Sequence, residues 1–386
     1  MARLDLLTDP ATMAPISHTG PSQNRTLPPE PQDHPSTLAI GLELKFLVPF
    51  LRADCTDPAS GDPRPVEATP HADNPDRLRE QAYNLVAGLL RGAGQHVIAI
   101  SEIKSSESER DYWDEHWIVK KGNSAEALGN ERAPGYIFAP LELSSPRFSA
   151  LDRRTYDLIA RVIDCLEAGC RFTVNQTCEV HVHIGRKDGA SFSLQSLQNF
   201  AALCWLAEPT LRLLKDPRSP NFEHVYTWSS PLREHSRLAA EVAEVSKAGG
   251  GRDRFALERI FVTKDDLALG KLMSGTEDQY RRLGFNFSAF GLEDARAVRS
   301  PRSVEVRFFE DYRGRAEVLG WVEICVALGI VAVGGTDASW EIRKLMGCEE
   351  GRPGERMEVL LKMLRVDEAV VKLFSERVEE IHVRQD

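Results

Sequence analysis

The chain has no excess of positive charge: 48 Lys and Arg stand against 58 Asp and Glu in 386 residues, a formal charge of −10. A nucleic-acid groove is therefore not expected, because such surfaces carry a basic excess. No apolar run is read as reaching the roughly 18 residues of a membrane span. Residues 1–20 contain neither an apolar core of secretory type nor an Arg-rich presequence, so the expected location is the cytoplasm. The seven cysteines, at 55, 165, 170, 178, 204, 325 and 348, include no C-x-x-C pair and are odd in number. Reduced, mostly buried thiols fit this better than a disulfide frame or a zinc knuckle. There is no internal repeat. What the chain does have is a 42% apolar and 27% charged composition, typical of a soluble globular protein with a sizeable core.

Proline-rich residues 1–36 cannot bury enough apolar surface to offset their ordering entropy, and a disordered tail is expected there. Residues 37–386 are read as one domain, helical from about 316. The first strand runs over 36–49, followed by a Pro- and Asp-rich stretch, 53–74, long enough to suggest a functional flap or disorder. Asn74-Pro75-Asp76 starts a helix, as an N-cap followed by proline at the first turn. Further helices are expected over 150–168, from Ser193 to about Leu214, and over 232–247. Strands are expected at 97–100, 113–120, 136–146, around 178–185, at 280–290 and at 303–309. A nearly all-apolar helix then leads to Val333, with two or three amphipathic helices beyond it.

The marked strands each carry one polar and one apolar face, whereas doubly wound parallel sheets show continuous apolar runs. The expected class is α+β: a curved antiparallel sheet with helices on its apolar back. With a period of two, the polar faces present Glu43 and Lys45, Glu142 and Ser144, Glu179, His181 and His183, and Glu305 and Arg307. Carboxylates packed this closely would repel, and a bound divalent cation would remove the difficulty. Carboxylate oxygens with an imidazole suit Mg²⁺ or Mn²⁺, and Arg307 adds a guanidinium suited to phosphate. Alone, E-x-K, E-x-R or H-x-H in a strand is ordinary alternation; the combination on four strands carries the signal. Cys178 is read as a structural thiol.

The segments Gly41-Leu-Glu-Leu-Lys-Phe, Leu141-Glu-Leu-Ser-Ser-Pro, His181-Val-His-Ile-Gly, Asn286 and Val304-Glu-Val-Arg-Phe resemble, in order and spacing, the motifs of the amidoligase family. That family is grouped with glutamine synthetase and glutamate–cysteine ligase, and the resemblance spans about 37–335. It implies a glutamine synthetase-like half-barrel that binds ATP and divalent metal. It also implies a ligase that forms an amide through an acyl phosphate, acting on small-molecule or peptide carboxylates and amines. By that resemblance Glu43, His181 and Glu305 ligate one metal and Glu142 serves a second. His183 and Arg307 act at the transferring phosphate, and Asn286 and Arg282 contribute to the nucleotide site. Two departures stand out. Lys45, a catalytic candidate with His183 and Arg307, replaces the second acid of an E-x-E pair with an ammonium that would weaken the second metal site or replace that metal's charge with its own. The segment Val119-Lys-Lys-Gly-Asn-Ser also lacks an acidic residue expected before its turn.

Two other classes compete with the ligase. One is a degenerate relative that binds a nucleotide or peptide as a scaffold, which Lys45 favours. The other is a metal oxygenase built on H-x-H, which wants a glutamate four or five residues past the second histidine, where Lys187 and Asp188 stand. The stretches 53–74, 101–110 and 215–230 are expected to shape the substrate pocket, with Tyr226 and Trp228 as candidate stacking residues.

Overall fold

Fifteen residues, Leu38–Arg52, form the strand on which the rest of the sheet is assembled. The structure, a computed structural model, describes residues 33–128, 135–219, 222, 229–247, 251–276, 281–291, 302–334, 345 and 350–383. Strands in chain order are β1 (Leu38–Arg52), β2 (Ala68–Thr69), β3 (Val97–Ala99), β4 (Trp117–Lys121) and β5 (Tyr136–Ser144). They continue with β6 (Phe148–Ser149), β7 (Glu179–Arg186), β8 (Phe285–Asn286) and β9 (Ser303–Glu310). They form one open sheet in the order β3-β4-β5-β1-β7-β9-β8, with β2 and β6 pairing onto β1. Only the β1–β2 and β3–β4 pairs are parallel. The architecture is therefore α+β on a mostly antiparallel sheet.

Alternation gives this sheet its apolar back. Ile40, Leu42, Leu44 and Phe46, with Leu141, Leu143, Val180, Val182, Ile184, Val304 and Val306, are all fully buried in the main core. Helices Pro75–Gly92 and Arg315–Val333 lie against it, and Arg153–Gly169 packs against both of them. Asn74 caps the first as expected, its Oδ1 accepting the Arg77 N–H at 3.1 Å. The helix Arg315–Val333 is long and apolar enough to cross a membrane, which the sequence reading overlooked. It is mostly buried here, with Trp321 donating to the Val180 carbonyl at 3.2 Å. Its Gly329 is required by close approach: a Cβ there would sit 3.0 Å from Ile184 Cγ2.

Several expectations need correction. Residues 33–36 are not part of a loose tail, because Asp33 pairs with buried Arg186 and accepts the Ser193 N–H at 2.7 Å. Residues 1–32, and with them most of the expected tail, lie outside the described residues. The stretch expected as a strand at 280–290 forms a strand at Phe285–Asn286, with Leu283 in an isolated bridge to Ser230, and then turns into a short helix, Ser288–Gly291. Two helices, Arg252–Phe261 and Asp266–Leu272, were not anticipated. The expected helix over 232–247 breaks at Ser236.

The 53–74 stretch is neither flap nor disorder. Arg171, 8% exposed, pins it by donating to the Asp62 carbonyl at 2.7 Å, the Arg64 carbonyl at 2.8 Å and Asp57 Oδ1 at 2.9 Å. Truncation would leave two main-chain carbonyls and a carboxylate without that donor. Arg171→Ala is accordingly expected to cost about 2–4 kcal/mol and to open 53–67 to protease. Denaturant unfolding and limited proteolysis check this; wild-type cleavage rates in 53–67 would count against it.

Candidate functional site

Strand pairing decides whether the polar faces meet. β1 places Glu43 opposite both Ser144 of β5 and His181 of β7, and Lys45 opposite Glu142. On β7, His183 faces Gly41 on one side and Glu305 of β9 on the other. β8 adds Asn286 opposite Glu305, and β4 adds Lys120 opposite Glu142. Directly opposed residues stand ~5 Å apart at Cβ, so these side chains form one ridge across the sheet. Glu43, Lys45, Glu142, His181, His183, Asn286, Glu305 and Arg307 all join it. Arg282 lies outside the cavity lining, and its carbonyl accepts the Ser230 N–H at 2.8 Å. Tyr226 and Trp228 lie outside the described residues.

Glu305 is the most constrained carboxylate. Arg307 donates from Nε to Oε1 at 2.6 Å and from Nη2 to Oε2 at 2.5 Å, and Asn286 donates to Oε2 at 2.9 Å. The third guanidinium nitrogen, Nη1, donates to the Arg281 carbonyl at 2.6 Å. A bidentate fork of this kind fixes both distance and plane. Arg307, expected to face a phosphate, is thus turned onto Glu305 and does not line the cavity.

The two histidines stand differently in the ridge. His181 is buried, with Nδ1 3.0 Å from Glu305 Oε1 and 3.2 Å from Glu43 Oε2, and Nε2 3.1 Å from both Glu179 Oε2 and Lys45 Nζ. Both of its nitrogens are engaged inside the ridge. His183 pairs Nδ1 with Ser303 Oγ at 3.1 Å, while Nε2 stands 3.6 Å from Glu43 Oε1 and 3.7 Å from Glu305 Oε1. Those two separations are too long for hydrogen bonds. Ligand atoms of Glu43, His183 and Glu305 all lie within 4.8 Å of one another, a spacing that suits a cation between them. His183 is thus a candidate ligand beside the expected His181, whose Nδ1 lies closer still to the same two carboxylates. Glu142 is not in this group; its Oε1 lies 3.2 Å from Lys120 Nζ and accepts from Ser144 at 3.3 Å.

Charge within the ridge is balanced by side chains of the chain itself. Burial pushes the Glu43 carboxyl up, but the His181 hydrogen bond, the nearby His183 ring and the Lys120 charge outweigh it and hold it well below the usual carboxylate range. Glu305 is likewise held low, with Arg307 as the main cause against burial, and so is Glu179, with Lys45. Glu142 moves up through burial and the neighbouring Glu43 charge. For His181, burial and Lys45 favour the neutral ring, yet the Glu179, Glu305 and Glu43 carboxylates win and raise it to about 9. A protonated His181 cannot accept from Lys45, so the ammonium donates to Glu179 at 3.1 Å. A bound cation is thus not needed to relieve carboxylate repulsion: Lys45, Lys120 and Arg307 stand against Glu179, Glu142 and Glu305.

A cavity of about 390 Å³ opens beside the triad, within the range of small-molecule sites. Glu43 and His183 line it, and its floor is bare because Gly41 and Gly185 occupy the polar-face positions next to them. Lys120, Trp113, Ser144 and Ser303 line it too, with Arg110, Arg147, Arg186 and Arg302. Arg147 and Arg186 are paired with Asp114 and Asp188. Of the three stretches expected to shape the pocket, 101–110 reaches it through Arg110, and 53–74 does not.

Sequence reading missed Lys120, Ser303 and the far end of the ridge. Ser303 has the same parity as Glu305, so alternation alone could have found it. At the far end, Lys215 Nζ lies 3.7 Å from Glu179 and 3.4 Å from Glu310, and Ser229 Oγ is 3.2 Å from Glu179. Glu310 reaches this face because β9 carries one extra residue opposite β7 between Val306 and Phe309. Cys178 is buried beside Leu47 and Ala125, as expected of a structural thiol.

No protein-family model matches the chain, and no curated protein matches it significantly. The site is therefore read from its own geometry.

Proposed function

We propose that the chain is an ATP- and divalent-cation-dependent ligase that joins a carboxylate to an amine. One observation carries this reading: the Glu43–His183–Glu305 gap faces a cavity of nucleotide size with a partly cationic wall. The resemblance of the strand motifs to the amidoligase family supports it, as does the antiparallel sheet, which we read as the half-barrel of that group in a single cytoplasmic domain. Glu43, His183 and Glu305 would hold Mg²⁺ or Mn²⁺, which supplies charge neutralisation to phosphoryl oxygens. Asn286 and Arg307 hold Glu305 in place. Lys120, Arg110 and Arg302 stand on the wall where an anionic ligand would meet them, Lys120 being shared with Glu109 and Glu142 and Arg302 with Asp266. In the overall reaction a carboxylate oxygen attacks the γ-phosphorus and ADP leaves. The amine then attacks the acyl carbon, phosphate departs, and the amine proton is lost to solvent.

The assay is incubation with ATP, Mg²⁺ and a pool of amino acids, peptides and amines, followed by mass spectrometry. ADP together with a new amide, both lost in Glu43→Ala, is the expected outcome. No ADP with any acceptor removes the reading. The self-neutralised ridge favours one alternative, a scaffold that binds nucleotide or peptide without turnover. Calorimetry showing ATP bound without metal dependence would select it.

Gly41 offers a cleaner probe of the cavity. A Cβ there meets only His183 Cβ, at 3.7 Å, an ordinary contact. Gly41→Val should leave the melting temperature unchanged or slightly higher, since valine suits a strand. ATP affinity should fall at least tenfold because the side chain stands on the cavity floor. Thermal unfolding and nucleotide titration check both halves.

A further inference from the structure

Beside the exchangeable cation position, the ridge holds a second one that is already filled from within. Lys45, 3% exposed, places Nζ 3.1 Å from Glu179 Oε2 and 3.1 Å from His181 Nε2. A carboxylate oxygen and an imidazole nitrogen aimed at one point are the donors a divalent ion takes. Glu142, opposite Lys45 in register, is a third oxygen donor on the neighbouring strand. The first position differs in opening to the cavity, which Glu43 and His183 line.

The geometry points to a single-cation site in which the Lys45 ammonium serves as a fixed second cation. This rests on the ligase reading for its purpose but not for its test. The physical consequence is asymmetric. A divalent ion beside Lys45 would have to share Glu179 with an ammonium about a hydrogen-bond length away, and like charges that close disfavour entry. Lys45 is the nearer of two ammonium groups on buried Glu179, with Lys215 3.7 Å away on the other oxygen, so the chain is charge-matched there before any metal arrives. Removing the ammonium while keeping Glu179 and His181 should therefore convert this point into a metal position.

The test uses Mn²⁺ alone, without nucleotide, on the full chain, with electron paramagnetic resonance counting free ion. Wild type is expected to bind one Mn²⁺. Lys45→Met, which keeps length and removes charge, and Lys45→Glu, which adds a ligand, are expected to bind two. Both variants should also show a larger Mn²⁺-dependent rise in melting temperature than wild type, because ligand binding stabilises the folded state by mass action. Two ions in wild type, none in wild type, or one in both variants would overturn the inference. So would variants that stay unfolded in millimolar Mn²⁺, since the ion is held to replace the ammonium. The ligase reading falls separately: one bound ion with no ADP formed leaves this inference standing, and two ions with turnover do the reverse.

Discussion

Glu305→Gln is expected to weaken Mn²⁺ binding by roughly a hundredfold, about 3 kcal/mol, and to reduce ADP formation below detection while the protein stays folded. The reason lies in how many groups converge on this one carboxylate. Its Oε1 stands 3.0 Å from His181 Nδ1 and 3.7 Å from His183 Nε2, and its Oε2 is shared by Arg307 and Asn286. An amide oxygen can keep part of the Arg307 fork, so the strand position survives. It cannot supply the negative charge that, with Glu43, makes the gap beside His183 attractive to a divalent ion. Glu305→Ala removes both and leaves Arg307, 7% exposed, without its main partner. That variant should lose about 3–5 kcal/mol of stability in addition to the metal. Calorimetric titration and urea unfolding of the two variants separate the contributions. Near wild-type metal affinity in Glu305→Gln would mean the ion binds elsewhere.

The largest expected loss of stability away from the ridge is at Arg377. This residue, 4% exposed on the helix Glu368–Val383, donates to Glu317 at 2.8 and 2.9 Å and to the carbonyls of Glu310 at 2.8 Å and Asp311 at 2.9 Å. Its guanidinium carbon also lies 5.0 Å from the Phe309 ring centroid. It ties the last helix both to the helix Arg315–Val333 and to the end of β9. Arg377→Ala leaves Glu317 buried at 6% exposure without its cation and should cost about 3–5 kcal/mol. Replacing both partners, as Glu317→Leu with Arg377→Met, should recover part of that loss, because no charge is then stranded. Full recovery is not expected, since the two carbonyls still lose their donor. Chemical unfolding of the three proteins gives the coupling; additive losses would contradict the pairing.

How much of this was legible in the sequence depends on whether the signal was periodic or came from register. Period-two alternation placed Glu43, Lys45, Glu142, His181, His183, Glu305 and Arg307 on polar faces, and pairing then brought them together. Helix starts with side-chain caps were equally plain, at Asn74 and at Ser193. The roles of the two histidines were not legible, because they depend on neighbours across strands. His183 sits opposite Gly41, which leaves it open to the cavity, whereas His181 is fenced by Lys45 and Glu179. The bulge that brings Glu310 onto the face, and the reach of Lys215 from beyond the helix Leu194–Leu211, carry no local pattern. The stretch at 280–290 misled for a different reason. Alternating Phe residues there serve packing, with Phe285 edge-on to Phe308 at 4.9 Å and Phe287 against Phe200, and only two residues pair as strand.

The central claim is that one divalent cation sits between Glu43, His183 and Glu305 and that nucleotide phosphates approach it from the adjoining cavity. A crystal structure with Mn²⁺ and a non-hydrolysable ATP analogue tests it most directly through the anomalous signal of the metal. The account predicts a single strong peak among those three side chains, with the phosphates in the cavity floored by Gly41 and Gly185 and none at Lys45. A peak elsewhere, a second peak beside Glu179, or nucleotide bound away from this cavity would contradict it.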